Sequence, residues 1–303
     1  MALPTTTARQ QPQRTENRAP HVLYIGDRAA LDFLPARRRL AAEAARGLCS
    51  FTDVDDSTSA LNALIRQGHD QLDPADVLIL TQLRPGELND SQVNELRRHA
   101  PLAAMVVLCG AWCEGEARSG HPVPGIAHVA WHQFAARWVR HRTAWQQGRP
   151  MEWALPATWR EEERLLHLQT SLEASTQELS EVTIVLAEST QQGDDWLASA
   201  AQAQGWRLVH SLQLCDPPPA SAIGLWQTDE LDSVRLDQLR GFVDHVRPFP
   251  VIALSGFPRP EDDQRIRSVG AHSLIAKPLL VEDLVAEVAW VLEGSERGSE
   301  TKP

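Results

Sequence analysis

The second half of the chain alternates short β-type segments with helical segments, and this alternation limits the possible folds more than any other feature. Apolar and β-branched segments predict strands at residues 182–187, 207–212, 222–226, 249–255 and 272–276. Helical composition predicts helices at residues 194–204, 236–246, 261–269 and 281–292. Strands that alternate with helices are typical of a parallel sheet with helices on both faces.

Local signals around these segments support the assignment. Gly270 follows a predicted helix and suits a left-handed C-cap. In the last helix, Leu284, Val288 and Val291 recur at steps of four and three residues, which predicts one buried stripe. Residues 215–220 contain three consecutive prolines where a second helix should lie, so that helix is expected to be short or absent.

The first half repeats the same order less regularly. Predicted strands lie at residues 21–25, 48–54, 76–81, 103–109 and 126–131, and predicted helices at 29–45, 58–66 and 92–99. Any doubly wound fold gives this rhythm, so a true repeat is only one of two interpretations. The predicted fold class is α/β, with two doubly wound parallel five-stranded domains joined by a helical linker.

The length of 303 residues also favours two compact units. A leucine series in the middle of the chain falls on heptad positions, at Leu165, Leu168, Leu172 and Leu179. It predicts a linker helix that packs on its own domains or, alternatively, forms a homodimer. The predicted organisation is a disordered segment at 1–19, a domain at 20–138, a Trp-containing linker at 139–180, a domain at 181–294 and a disordered tail at 295–303.

Composition argues against several classes of protein. Charged residues make up 23%, and no apolar stretch approaches the roughly 18 residues that a membrane span needs, so no membrane association is expected. A net charge of −11 argues against nucleic acid as a partner. The basic run Arg37, Arg38 and Arg39 is predicted to be the solvated face of a helix. Four cysteines without disulfide or zinc spacing favour a reducing cytoplasm.

Three segments of the second half carry a resemblance to a known family. They are Val-Ile-Ala-Leu-Ser-Gly at 251–256, residues 261–271, and Ser-Leu-Ile-Ala-Lys-Pro at 273–278. Together they resemble the second half of chemotaxis-type response-regulator receiver domains, which have a flavodoxin-like fold. The resemblance implies that Ser255 and Lys277 occupy the positions whose side chains contact a phosphoryl group in receivers. Receivers also carry carboxylates at the ends of their first and third strands, which hold Mg²⁺ and supply the phosphorylated aspartate.

Carried over residue by residue, the acidic pocket of the family is degenerate in this chain. The first-strand acids fall on Glu188 and Ser189, and the aspartate falls on Trp226 or, with a one-residue slip, Gln227. Asp229 is expected in the loop beyond that strand, where receivers bring no nucleophile. One carboxylate remains in each half, so we expect no aspartyl phosphorylation. The equivalent positions in the first half are Gly26, Asp27, Thr81, Cys109 and His132.

Two expectations concern the side chains that remain in this degenerate pocket. Ser255 and Lys277 are expected to serve as a capping hydroxyl and a solvated cation. Alternatively, Glu188 pairs with Lys277 and replaces the phosphoryl contact. The Lys277–Pro278 bond is expected to be cis, because receivers commonly hold this bond in that form.

The segment 110–125 of the first half is rich in glycine and proline, which argues against a regular helix. It is predicted to be an exposed interaction loop, because Trp112 supplies an aromatic anchor and its neighbours supply charge. The alternative packs Trp112 against its own sheet. The other residues assigned to this loop are Cys113, Glu114, Glu116 and Arg118.

Cysteine and histidine side chains in the same region invite a metal or a catalytic interpretation. Their spacings match no zinc module, so neither a metal nor a cofactor is expected. Nucleophilic catalysis by Cys113 would need a base, for which His132 is the candidate. The side chains concerned are Cys113, His121, His128 and His132.

These observations favour a non-catalytic signalling protein over an enzyme. The preferred hypothesis is a pair of pseudo-receivers, related to two-component phosphorelay regulators, that binds a protein partner such as a histidine kinase or a regulator. The alternative is a small-molecule or nucleotide-binding enzyme that uses a strand-end cleft, although no dinucleotide or P-loop glycine pattern occurs. Such a cleft would be lined by Asp27, Cys109 and His132, or by Glu188, Ser255 and Lys277.

Overall fold

Two parallel sheets form the framework of the molecule. The computed structural model describes residues 18–69, 74–116, 120–154, 179, 182–187, 195–211 and 221–300. Within these ranges each sheet has five strands. The first sheet contains β1 (His21–Ile25), β2 (Ser50–Val54), β3 (Val77–Gln82), β4 (Ala104–Cys109) and β5 (Ala127–Ala130). The second contains β6 (Thr183–Leu186), β7 (Arg207–His210), β8 (Ala222–Thr228), β9 (Val251–Gly256) and β10 (Ser273–Lys277).

The order of the strands is the same in both sheets. The first runs β2-β1-β3-β4-β5 and the second runs β7-β6-β8-β9-β10, with every neighbouring pair parallel. This order is that of flavodoxin-like folds, which bind ligands beyond the carboxyl ends of the strands, where the strand order reverses. The predicted fold class is therefore confirmed, and the carboxyl ends of the strands are the edges on which a site is expected.

The described ranges contain eight α-helices. One of them, Phe134–Gln146, continues beyond residue 138, and its residues Trp138, Val139 and Ala144 are buried. In the first half the helices are α1 (Leu34–Ala45), α2 (Ser57–His69), α3 (Asp90–His99) and α4 (Phe134–Gln146). In the second half they are α5 (Asp195–Gln204), α6 (Ser233–His245), α7 (Pro260–Ser268) and α8 (Val281–Glu300).

Apolar side chains fill both faces of each sheet. In the first sheet, α1 and α4 pack on one face and α2 and α3 on the other. In the second sheet, α5 and α8 pack on one face and α6 and α7 on the other. The predicted stripe of Leu284, Val288 and Val291 on α8 is buried in the core of the second domain. Gly270 has the expected positive φ of 100°. These details confirm the local signals that defined the second domain in the sequence.

The two domains pack against each other through helices, and the contact includes several ion pairs. α8 lies along α4. Arg39 Nη2 donates to Glu287 Oε1 at 2.5 Å, with only 3% and 1% of the two side chains exposed. Arg38 Nη1 lies 2.5 Å from Asp263 Oδ2. The prediction that Arg37, Arg38 and Arg39 form a solvated face is therefore wrong for Arg39, because acidic side chains of the second domain cover that face of α1.

Some predictions fall on segments that the structure does not describe. The three-proline segment 215–220 and most of the predicted linker helix, including Leu165, Leu168 and Leu172, lie outside the described residues. Of the helices within the described ranges, none combines the length and the apolar character that crossing a lipid bilayer requires.

Candidate functional site

The carboxyl edge of the second sheet holds the positions that the sequence analysis carried over from receivers. Trp226, at the position of the family's aspartate, is 1% exposed and packs with α6 and α7 against the sheet. Its backbone lies beside Ala253 of β9. A buried indole in an apolar cluster provides no oxygen for a phosphoryl group or for Mg²⁺.

Lys277 at the end of β10 is paired with Asp229, the acid that the sequence analysis placed in the loop beyond β8. Its Nζ donates to Asp229 Oδ1 at 2.7 Å, and this contact lowers the pKa of the Asp229 carboxyl. Asp229 follows β8 directly and is 89% exposed at its side chain. The proposed partner Glu188, and Ser189 beside it, lie outside the described residues. Lys277 is therefore not simply a solvated cation.

Ser255 also differs from its predicted role. Its side chain is buried, and the hydroxyl donates to the carbonyl of Gly256 at 3.3 Å rather than capping a helix. The backbone of Asp229 lies close to Gly256, where a Cβ atom would come within 3.1 Å of the Asp229 carbonyl oxygen. The Lys277–Pro278 bond is cis, as predicted.

The side chains described at this edge do not fit the magnesium site of receivers. Such a site needs several oxygen ligands around the ion. Among the described residues at the positions carried over from the family, none brings a carboxylate. Asp229 supplies one nearby, and it is held by Lys277.

In the first sheet the equivalent edge is closed by packing. The Thr81 hydroxyl donates to the Ile25 carbonyl at 3.2 Å. A Cβ atom on Gly26, which has a φ of 139°, would lie 1.6 Å from the Thr81 hydroxyl oxygen, so only glycine fits there. The Asp27 carboxylate accepts from the backbone N–H of Ala29 at 2.7 Å. These contacts engage Asp27 and Thr81, two of the positions that the sequence analysis carried over from receivers.

The cysteine and histidine side chains of the first domain are poorly suited to catalysis. Burial raises the pKa of the Cys109 thiol to about 12, and the sulfur lies 3.7 Å from His128 Nδ1. Burial, assisted by Arg137, lowers the pKa of His132 to about 4. His132 Nε2 lies 3.9 Å from Glu114 Oε1. Within the described part of the chain, no group of three or more His, Cys, Asp or Glu side chains could hold a metal ion.

The predicted interaction loop has both exposed and buried members. Trp112 is 75% exposed, which excludes the alternative in which it packs against its own sheet. Glu114 is exposed as well. Cys113 and Glu116 are buried, because Cys113 Sγ donates to the Gln82 carbonyl at 3.4 Å and Gln82 Nε2 donates to both Glu116 oxygens. Placing these two on the surface was wrong, and Arg118 lies outside the described residues.

Two features of these edges were missed from the sequence. Asp32 Oδ1 accepts from the backbone N–H of Ala111 at 2.6 Å and fixes the start of the loop that carries Trp112. Phe257, directly after β9, is 85% exposed and has a φ of 44°. A positive φ in a bulky residue is uncommon and marks positions that deserve a functional explanation. The Phe-Pro pair at the end of a predicted strand was the available signal for Phe257.

Comparisons with known proteins give likenesses of fold only. No family model and no curated protein matches the chain. A beryllofluoride-activated DrrB receiver domain is 18% identical, with 37% of this chain and 97% of that chain covered and a TM-score of 0.30. A putative two-component response regulator/GGDEF protein is 14% identical, with coverages of 91% and 99% and a TM-score of 0.35. A Caulobacter myo-inositol binding protein is 15% identical, with coverages of 90% and 86% and a TM-score of 0.28. At such TM-scores these likenesses decide nothing, and the fold assignment stands on the strand order.

Proposed function

We propose that the protein is a non-catalytic signalling module, a pair of pseudo-receivers that acts by binding another protein and is not phosphorylated on aspartate. The single observation that carries the proposal is Trp226, buried at the position of the receiver aspartate. Aspartyl phosphorylation needs a carboxylate nucleophile beside a bound cation. The Trp226 indole, enclosed by apolar side chains, packs in the core and offers no carboxylate at this position.

The remaining groups support a fixed state rather than a switch. Lys277 stands at the position of the lysine that contacts the phosphoryl group in receivers, and its Nζ already donates to Asp229 Oδ1 at 2.7 Å. In the first domain, Thr81 and Gly26 close the corresponding edge. A conformational switch needs a ligand that binds one state better than the other. When internal contacts occupy these groups, a ligand can no longer use them to bind one state better than the other.

Partner binding is supported by exposed aromatic side chains at the strand ends. Trp112 in the first domain and Phe257 in the second are among the most exposed large apolar side chains of the described residues. The Trp112 loop is held by the contact of Asp32 with Ala111 and by the contact of Gln82 with buried Glu116. Aromatic anchors on a rigid support bind well because little entropy is lost on binding. A histidine kinase or a regulator remains the proposed class of partner.

The enzyme alternative has less support from the same side chains. Burial raises the pKa values of the Cys109 and Cys113 thiols to about 12 and about 11, which keeps both protonated near neutral pH. A thiol acts as a nucleophile as its thiolate. The cleft that Asp27, Cys109 and His132 were expected to line therefore lacks an activated nucleophile among these groups.

The test is an NMR titration of the full chain with Mg²⁺ and beryllofluoride, a mimic of the phosphoryl group. We expect no saturable shifts at Ser255 or Lys277. Saturable shifts at these residues, lost in Asp229→Asn, would show that Asp229 has taken over the acceptor role and would overturn the proposal. Asp229→Asn is also the control for nonspecific effects of the ions, because such effects should persist in this variant.

A further inference from the structure

A crevice opens where the two domains meet, next to His132, which lies two residues beyond the end of β5. Its volume is about 130 Å³. A single water molecule needs roughly 10–15 Å³ by this measure, so the crevice has room for a molecule of several heavy atoms. Its walls come from α1, the junction of β5 and α4, α7, β10 and α8. The lining side chains used below are Arg38, Arg39, Trp131, His132, Arg267 and Ser273.

The charges around this crevice are mainly positive. Arg38, Arg39 and Arg267 line it, with Asp263 as the acidic side chain among the lining residues. Asp263 is shared, because Arg38 Nη1 and Arg267 Nε lie 2.5 Å and 3.1 Å from its oxygens. Arg39 is paired with Glu287. Three guanidinium groups against two carboxylates leave one positive charge in excess, in a chain whose net charge is −11.

Hydrogen-bonding capacity around the crevice is also unmet, and it is mostly of the donor kind. Five buried atoms of the lining residues have no hydrogen-bond partner within the described structure. Arg39 Nη1 and the indole Nε1 atoms of Trp131 and Trp290 are donors only, and the Ser273 hydroxyl can donate. His132 Nδ1 is the fifth atom. Buried polar groups without partners are rare in native proteins and call for a specific explanation.

We propose that this interdomain crevice binds a small oxyanion, a phosphate or carboxylate group with several acceptor oxygens. The excess positive charge attracts an anion, and the unsatisfied donors match acceptor oxygens better than they match a cation. Arg38 and Arg267, which are partly exposed, make the first contacts. Arg39 Nη1 and Trp131 Nε1 are covered by protein atoms, so the proposal requires their side chains to rotate toward the ligand. The site does not depend on the signalling role proposed above.

The test is a titration of the full chain with inorganic phosphate at constant ionic strength, followed by ¹H–¹⁵N NMR of the indole N–H groups. A parallel titration with acetate distinguishes a phosphate site from a carboxylate site. We expect saturable shifts of the Trp131 and Trp290 indoles, with a Kd on the order of 1 mM or tighter. Arg267→Gln removes a charged donor and should weaken binding by about tenfold or more.

Two further variants make the test decisive. Ala135 lines the crevice, so Ala135→Leu should abolish binding by filling it. Arg240 forms an exposed ion pair with Asp237 on α6, and Arg240→Gln is the matched control that should bind like the parent chain. The proposal is overturned if neither anion gives a saturable shift. It is equally overturned if Arg267→Gln and Ala135→Leu, both with parent-like spectra otherwise, bind as tightly as Arg240→Gln does.

Discussion

The buried ion pair between the two domains makes a sharp prediction about stability. Arg39 and Glu287 have 3% and 1% of their side chains exposed, and the Arg39 guanidinium carbon lies 3.5 Å from the ring centroid of Trp290. Glu287→Gln keeps the shape of the side chain but leaves a buried guanidinium without its counter-charge. Breaking a buried pair in this way costs about 3–5 kcal/mol. At roughly 2–4 °C per kcal/mol for a chain of this size class, Tm should fall by about 6–20 °C.

A double variant and an exposed pair provide the comparison. Arg39→Met combined with Glu287→Leu removes both charges and should recover most of the lost stability, because apolar side chains often replace a buried ion pair at little cost. Arg240→Ala breaks the exposed pair with Asp237 and should cost less than about 1 kcal/mol. Thermal unfolding by circular dichroism measures all three. Equal losses for Glu287→Gln and Arg240→Ala would refute the buried interdomain pair.

Three further predictions follow from the described side chains. Acetyl phosphate with Mg²⁺ should leave the mass of the chain unchanged, and an adduct absent from Asp229→Asn would identify that carboxylate as an acceptor. Trp226→Ala should lower the free energy of unfolding by about 3–5 kcal/mol. Trp112→Ala should change that free energy by less than about 0.5 kcal/mol while weakening partner binding. A larger loss of stability for Trp112→Ala than for Trp226→Ala would contradict both assignments. Because burial lowers the pKa of His132 to about 4, the unfolded chain binds the proton more readily and stability falls as pH drops from about 6.5 toward 4. His132→Gln should remove up to about 3 kcal/mol of that loss, seen as a flatter plot of Tm against pH.

The fold was predictable because its signals are local. Strand β6 is buried along its whole length, and a mainly apolar, β-branched segment at that place in an alternating pattern is enough to assign it. Parallel strands in a doubly wound order bring their carboxyl ends to one edge. For that reason, chain order alone placed Ser255 and Lys277 at the same edge.

The contacts within the candidate site were harder to predict because loops decide them. Lys277 meets Asp229 because the chain after β8 returns over Gly256, and nothing in the composition of that loop specifies its path. Cys113 and Glu116 resemble surface residues in a glycine-rich segment. They are buried because Gln82, at the end of β3, offers its carbonyl and its amide to them. Such pairings depend on side chains more than 30 positions apart in sequence.

The arginine run of α1 shows how docking changes the meaning of a sequence pattern. In an isolated first domain, Arg37, Arg38 and Arg39 would form a charged helix face, which is why the sequence predicts a solvated one. Arg39 instead meets Glu287, 248 residues later. A charge run becomes interior when the opposing surface carries acids at matching positions, and no local rule contains that information. Because the docked surfaces are charged, they leave donors such as Arg39 Nη1 unsatisfied, whereas an apolar contact would not. The charged residues of this interface resemble surface residues in the sequence, and their unsatisfied donors favour the binding of an anion between the domains.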